Sequence, residues 1–485
     1  MQFIIKYSTE ITIKSRPVRR RISQQLVRNI KDLLLPIDPG CVVTYGWDKI
    51  QLTVKPSNRQ DAISLLANCS GIAYFLEVME YPLKDLDDAF EKAAQVYLPQ
   101  IAGKSFAVRC KRVGNHTFSS SDVERHVGGL MMSRADGARV QLKNPEVVVR
   151  LEIRGEQLFI TKHRLRGAGG FPVGSLDPVV SLVSGGFDST VASYLAMRRG
   201  LAVNFLLFSL GGSEHKVAVQ EISLYLWMKY ASTQRIKFIT VPFEEVVNDI
   251  QRSVSSGYSG IIMKRLMLKA AEQLSRSIGV KALVTGEAVA QVSSQTLTNL
   301  SVIDEASDML VLRPLAFMDK MDIIDVARAI GTEEFSKHVP EYCGAVSVKP
   351  KTRARLHLVH EQEERLDPAV LEAAVANAQT QLMHELVEQD NAASHAEELE
   401  TVQELPNTGV VLDIRHPDEQ DMRPLKLDGR DIVCIPFFEL SAKFTALPSD
   451  ERYYLYCEQG LMSRLHASYL CDAGHKNVAV YRPSR

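Results

Sequence analysis

The stretch Val179-Val-Ser-Leu-Val-Ser-Gly-Gly-Phe-Asp-Ser-Thr-Val191 decides the architecture of the middle of this 485-residue chain. A β-branched apolar run enters it, Gly185 and Gly186 break it, and Val191, Tyr194, Leu195 and Met197 leave it at helical spacing until Gly200. The order is strand, tight loop, helix. Glycines let the backbone approach a ligand closely, and the N–H groups that open a helix favour an anion, so phosphate is the expected occupant.

Past Gly200, buried-strand runs recur at Leu201–Phe208, Ile236–Val241 and Ala282–Thr285, separated by helical patterns such as Tyr258–Ile278. That alternation predicts a doubly wound parallel sheet, in which ligands bind at the carboxyl ends of the strands. The glycine loop lies at the end of the first strand.

A Walker A loop closes with Gly-Lys-Ser/Thr, whereas this one carries Asp188, a carboxylate suited to a cation-bound pyrophosphate. Ser184-Gly-Gly-Phe-Asp-Ser189 resembles the PP-loop of ATP pyrophosphatases, which cleave ATP between its α and β phosphates and place AMP on a substrate oxygen. The resemblance implies an ATP site built from Leu182, Val183, Ser184, Gly185, Gly186, Asp188 and Ser189, with Lys264, Gly286 and Gln295 added from later segments. Leu182 and Val183 would meet the adenine edge and Lys264 the phosphates. Lys320, in Asp319-Lys320, would stabilise negative charge at the α phosphate. ATP with Mg2+ is the implied cofactor set, and no metal site of the protein's own is expected.

At roughly 150 residues per domain the length implies three or four domains. The formal net charge of −1 hides an asymmetry: residues 1–170 carry 26 Lys and Arg against 17 Asp and Glu, and residues 361–404 carry 12 acidic residues against one basic. The front is expected to bind an anion and the late segment is not. Seven cysteines without a C-x-x-C pair argue against a zinc site and a disulfide scaffold. The early apolar run Phe3-Ile-Ile5 is cut by Lys6, and no run reaches membrane-spanning length, so a cytoplasmic protein without a membrane partner is expected.

Residues 1–60 read as strand, helix (Ser15–Leu35, arginine-rich on its polar face), two strands and the start of a second helix, a ferredoxin-like α+β domain. Residues 61–165 read as a second α+β domain with a basic strand, Ala107–Arg112, and a helix start at Ser120-Ser-Asp-Val-Glu124. Its Gly103-Lys-Ser-Phe-Ala-Val-Arg109, Arg112-Val-Gly-Asn-His116 and Ser121-Asp-Val-Glu-Arg125 resemble the THUMP domain, which implies RNA binding. Lys104, Arg109, Lys111 and Arg112 are the candidate phosphate contacts. Residues 166–360 form the PP-loop domain, and 361–404 are expected to be an acidic helical linker that keeps the last domain mobile.

The tail, 405–485, has strands at Val410–Arg415, Ile432–Pro436 and Tyr453–Tyr456, and the last delivers Cys457 into a loop before a helix. Loop amides and the helix dipole are expected to lower the thiol's pKa and to stabilise a persulfide equally well. Strand-Asp-x-Arg with this cysteine loop resembles a rhodanese domain, although Met462 stands where common rhodaneses have arginine. Cys41, Cys69, Cys110, Cys434 and Cys471 read as structural.

Ferredoxin-like unit, THUMP, PP-loop domain and rhodanese in this order resemble the bacterial tRNA 4-thiouridine synthetases (tRNA sulfurtransferases), and the fold class expected is multidomain α/β. That resemblance implies adenylation of O4 of a tRNA uridine, expected at position eight. A Cys457 persulfide would then transfer sulfur, and Cys343 would resolve the linkage as a Cys343–Cys457 disulfide. It also implies a cysteine desulfurase as sulfur donor and a sulfur carrier protein of thiamine thiazole synthesis as a further acceptor, and it allows a homodimer. Ala290 departs from the Gly-Glu-Ala-x-Gly-Gln pattern expected there. A sulfur-relay protein without RNA adenylation and a PP-loop amide-forming ligase are the alternatives.

Overall fold

A computed structural model describes residues 1–210, 213–339, 349–388, 400–406, 408–427, 429–430, 432–458 and 460–483. Cys343 lies outside the described residues. The chain divides into two compact units, the first made of residues 1–176, 197–201 and 229–234, the second of the remainder. Among the described residues no helix is long and apolar enough to cross a membrane.

The first unit is organised by one eight-stranded sheet. Its strands are β1 (Gln2–Tyr7), β2 (Val42–Tyr45), β3 (Ile50–Thr53), β4 (Ile72–Pro82), β5 (Ser105–Val113), β6 (Arg139–Val140), β7 (Val147–Arg154) and β8 (Gln157–Arg166), in the order β2-β3-β1-β4-β8-β7-β5-β6. The helix Arg16–Leu34, entered through Pro17, buries Ile22, Leu26, Ile30 and Leu34, a four-residue spacing that makes one apolar stripe. That stripe packs on Phe3, Ile5, Ile50 and Leu52 of the sheet. A second core under β5, β7 and β8 holds Phe90, Phe106, Val127 and Leu151. The two predicted α+β domains therefore keep separate cores but share a sheet, because β4 pairs with β1 on one edge and β8 on the other.

The second unit carries two sheets. The first contains β9 (Val179–Leu182), β10 (Val203–Ser209), β11 (Lys237–Pro242), β12 (Ala282–Val284), β13 (Leu310–Leu312) and β14 (Gln379–Leu382), in the order β13-β12-β9-β10-β11-β14. The pairings from β13 to β11 are parallel, as the strand and helix alternation predicts, and β14 closes the edge antiparallel to β11. Val180, Leu206, Ile239 and Leu283 meet Ile262 and Leu266 of the helix Ser259–Ser277 in its core. Each such side chain contributes about 1.5–3 kcal/mol relative to exposure.

Residues 361–404 are not a free helical linker over their described first part. Glu363 holds Arg265, which is fully buried, through Nε at 2.8 Å, and also takes Lys269 Nζ at 3.0 Å. Arg265 is shared with Glu305 at 2.8 Å, so the buried guanidinium is held by two carboxylates and Glu363 belongs to the core. Val370, Leu371, Ala374 and Val375 of the helix Pro368–Ala376 pack on the same core, and β14 follows directly. The charge count concealed this apolar stripe.

The second sheet contains β15 (Thr401–Val402), β16 (Val410–Asp413), β17 (Ile432–Cys434), β18 (Tyr453–Tyr456) and β19 (Val478–Tyr481), all parallel, in the order β15-β19-β18-β16-β17. Its domain is seated on the six-stranded one. Phe335 lies with its ring 4.6 Å from that of Phe437 and 5.3 Å from Phe438, and Tyr225 joins at 6.3 Å from Phe437. Beside these rings His466 Nε2 stands 3.5 Å from a Glu221 carboxylate oxygen, both residues buried. The expectation of a mobile last domain is thus replaced by a packed one. Of the cysteines read as structural, Cys434 and Cys471 are exposed and Cys69 is buried.

Candidate functional site

β9 ends at Leu182, and Val183 N donates to Leu206 O on the neighbouring strand, which fixes where the loop departs. Ser189 Oγ receives the Ser184 N–H at 3.1 Å and lies 3.2 Å from Ser184 Oγ, tying the start of the loop to the first turn of the helix Phe187–Arg198. Gly185 sits at φ +80°, and a Cβ there would stand 2.9 Å from Val339 Cγ1. Gly286, just past β12, approaches so closely that a Cβ would lie 2.5 Å from Ser189 N and 2.6 Å from Asp188 C. Glycine at 286 is what lets two strand ends converge on one loop.

Asp188 points into that convergence. One carboxylate oxygen takes Lys320 Nζ at 2.7 Å and the other takes Gln291 Nε2 at 2.8 Å. Lys320 opens the helix Lys320–Ile330, a position the helix dipole disfavours for a cation and an anion would favour. Asp188 and Lys320, predicted from sequence, are therefore brought together. Lys264 is placed differently: its Nζ holds Glu287 at 2.7 Å.

Glu287 is a group that sequence reasoning quoted without giving it a role. It also accepts from Arg313 Nε at 2.9 Å and Thr285 Oγ1 at 3.1 Å, and Arg313 in turn grips Asp304 with both terminal nitrogens. Burial pushes the Glu287 carboxyl up, but Lys264 and Arg313 outweigh it and hold the group below the usual carboxylate range. The readable signal was a lone acid directly after a strand-end glycine, with two cations near in the same motifs. Gln291, the last residue of the Gly-Glu-Ala-x-Gly-Gln pattern, was likewise given no role; it follows Ala290, which adopts φ +65°. The predicted Gln295 is buried, and its Oε1 has no partner among the described residues.

These groups fit a nucleoside triphosphate. The buried Gln295 oxygen is an acceptor left open for an amino group, the loop glycines admit a phosphate against the backbone, and the first N–H groups of the helix Phe187–Arg198 are those a helix cannot pair internally.

The thiol centre lies at the end of β18. Cys457 Sγ accepts from Ser463 N at 3.3 Å and lies 3.4 Å from Ser463 Oγ, with the Gly460 and Met462 amides also directed at it. The cradle expected for an anionic sulfur is present. The expected lowering of the thiol's pKa is not: the residue is 6% exposed, and burial pushes the thiol up by more than the Ser463, Gly460 and Met462 hydrogen bonds bring it down. At the end of the adjacent strand β16, Arg415 Nε and Nη2 clasp Asp413 at 2.9 and 2.5 Å, and the guanidinium lies over the Tyr456 ring at 5.1 Å.

In the first unit Arg109 and Lys111 alternate outward along β5, opposite Arg150 and Glu152 of β7, so that three cations share one face of the sheet. Lys104 is exposed in the turn before β5. Arg112 faces the other way, donating to Gly114 O at 2.9 Å and meeting His116 Nδ1 at 3.1 Å. It ties the loop of its own motif together.

Comparison with known proteins places these sites in a family. Family models match the ThiI ferredoxin-like domain over residues 2–75, the THUMP domain over 83–162 and the thiamine biosynthesis protein (ThiI) over 174–367. The tRNA sulfurtransferases of Azotobacter vinelandii and Pseudomonas putida are 48% and 46% identical, each over 100% of both chains. A crystal structure of a 4-thiouridine synthetase–RNA complex with bound ATP superposes with a TM-score of 0.69 at 25% identity, covering 79% of this chain and 99% of that one. PH1313 from Pyrococcus horikoshii shares the fold, with a TM-score of 0.52 at 19% identity over 68% of this chain and 100% of that one. With near-half identity to curated relatives along its entire length, the chain belongs to the tRNA sulfurtransferase (ThiI) family.

Proposed function

We propose that this chain is an ATP-dependent tRNA sulfurtransferase that makes 4-thiouridine, at the position-eight uridine. The observation that carries the reading is the pairing, in one chain, of the Asp188–Lys320–Gln291 mouth with a cysteine cradled by the Gly460, Met462 and Ser463 amides. The family membership and the RNA- and ATP-bound relative support the same reaction.

Residues 1–165 bind tRNA, with Arg109, Lys111 and Lys104 on phosphates. The loop 184–189, Gly286, Lys264 and Gln295 hold ATP, and Asp188 is the group that would hold Mg2+ with the pyrophosphate. Magnesium there would neutralise the leaving charge. Lys320 steadies negative charge at the α phosphate while uridine O4 attacks it, breaking the bond to pyrophosphate and leaving AMP on O4. The terminal sulfur of a Cys457 persulfide then attacks C4 and AMP leaves, joining Cys457 to the base through two sulfurs. Cys343 attacks the Cys457 sulfur, frees the thiouridine and leaves a Cys343–Cys457 disulfide for a reductant to open.

The C-terminal domain acts as a rhodanese loaded by a cysteine desulfurase. With Met462 in place of a cation, its loop suits a protein persulfide better than a free anionic donor. The same persulfide would pass to a sulfur carrier protein for thiazole synthesis, in keeping with the thiamine biosynthesis family model.

The test pairs two variants. Cys457→Ala is expected to abolish thiouridine while tRNA-dependent pyrophosphate release continues, and Asp188→Ala to abolish pyrophosphate release while sulfur still adds to Cys457 by intact mass. Thiouridine formed by Cys457→Ala at the normal rate would overturn the reading.

A further inference from the structure

Beside the residues that reach Asp188 stand apolar side chains that no described residue covers. Phe317 is 96% exposed, Met321 64% and Val292 50%. Each is tied in sequence to a residue that touches Asp188: Val292 follows Gln291, Met321 follows Lys320, and Phe317 stands in the turn three residues ahead of Lys320. Scattered exposed apolar residues need no explanation, but three on the two segments that reach one catalytic carboxylate do.

The loop carrying Phe317 is held firmly. Leu315 is fully buried, Ala316 N donates to Arg313 O, Met318 N to Leu315 O, and Ala316 O accepts from Val289 N at 3.0 Å. Phe317 is therefore presented outward by a pinned turn between a buried leucine and the helix start at Lys320. Lys320, three residues after Phe317, has its Nζ 5.6 Å from the ring centre of Phe187.

A uridine stacked inside tRNA cannot bring its O4 to a nucleotide phosphate, and enzymes that act on a base draw it out and hold it between apolar or aromatic faces. Building on the thiolation reading above, we infer that Phe317, flanked by Met321 and Val292, is the platform on which the target uracil stacks while O4 meets the α phosphate. Uracil offers a small flat ring with few donors, and a rigid, exposed phenyl matches it without demanding a hydrogen-bond partner. Its position beside Lys320 puts the stacked ring at the cation that steadies the reacting phosphate.

The experiment uses full-length protein, ATP and unmodified tRNA, reading pyrophosphate release in a single turnover and tRNA affinity by titration. Phe317→Ala should slow adenylation roughly 5- to 150-fold, the range over which removing one base–aromatic stack acts, and leave tRNA affinity within about twofold. Phe317→Tyr and Phe317→Trp should restore the rate, and Phe317→Leu should not. A fluorescent pyrimidine at the target position should be quenched on binding to the wild type and to the Tyr variant, and stay bright with the Ala variant. Adenylation by Phe317→Ala at the wild-type rate, full rescue by Leu, or failure of both aromatic replacements would each overturn the inference. Absence of tRNA-dependent pyrophosphate release from the wild type would instead overturn the thiolation reading itself. Because Phe317 is 96% exposed among the described residues, these substitutions are expected to leave the fold intact.

Discussion

At Asp188 two side chains from separate segments, a helix start and a turn, meet a carboxylate that solvent also reaches, whereas at Cys457 the thiol is 6% exposed, walled in by its own loop and pushed upward in pKa. The difference lies in what each centre still lacks. The first has its charges aligned and needs only ligands. The second has its hydrogen bonds aligned but keeps its sulfur out of water, which on the proposed function would shield a persulfide and would require the cradle to open before sulfur moves. An exposed ion pair such as Lys320–Asp188 contributes little to stability, so its value is in chemistry.

Lys320→Ala would break the comparison from the open side. Pyrophosphate release with tRNA and ATP is expected to fall about 10²- to 10³-fold, the loss typical of removing one preorganised electrostatic stabiliser, with sulfur loading on Cys457 unchanged. A drop in both activities would mean that the two centres are not separable.

The closed side is tested by pH. Burial pushes the Glu221 carboxyl up to about 8 from 4.5 and the His466 imidazole down to about 3 from 6.5. Glu221's contribution to the seating of the C-terminal domain is full below pH 4.5 and is lost as pH rises through 8; that of His466 is full above 6.5 and lost as pH falls through 3. Seating is therefore steady from 4.5 to 6.5 and weakens from there to 8 by roughly tenfold per pH unit, because the unseated carboxyl gives up its proton while the seated one keeps it. Hydrogen exchange in the helices Phe437–Phe444 and Leu461–Asp472 should accelerate accordingly between pH 6.5 and 8. His416, in the same ring cluster, is replaced by Gln throughout so that it does not titrate. Glu221→Gln should flatten the alkaline arm; an unchanged slope would show that the carboxyl is not its source.

Sequence reasoning reached the open centre more fully than the closed one, for physical reasons. Val179–Val191 is a local object, strand, glycines and helix within thirteen residues, and Asp188 and Lys320 were legible through motif chemistry. What escaped depends on distant partners. The shared eight-stranded sheet rests on β4 pairing with β8, about ninety residues on, and no local pattern encodes that. β14, Gln379-Thr-Gln-Leu382, is polar because it is an edge strand, and the charges around it suggested a solvated linker. The amides around Cys457 were predictable, but the burial that outweighs them comes from packing. Gln291 depends on a backbone turn at Ala290 that an alanine does not advertise.

That turn supplies the smallest and sharpest test. Ala290 sits at φ +65°, held by its N–H to Gln295 O at 2.9 Å, with Gln291 N donating back to Ala288 O at 3.3 Å. A left-handed conformation costs a non-glycine residue about 1–2 kcal/mol, and glycine would return that while adding about 0.5–1 kcal/mol of unfolded-state entropy. Ala290→Gly is thus expected to stabilise the ATP-site domain by about 0.5–1 kcal/mol, a rise of about 1–4 °C in its thermal midpoint. Gln291 still reaches Asp188 from the same turn, so pyrophosphate release should stay within about twofold of wild type. A lower midpoint would show that the alanine methyl contributes packing worth more than the strain. A higher midpoint with slowed adenylation would show that the strained residue, by fixing the turn more rigidly than glycine can, is what keeps Gln291 aimed at the carboxylate.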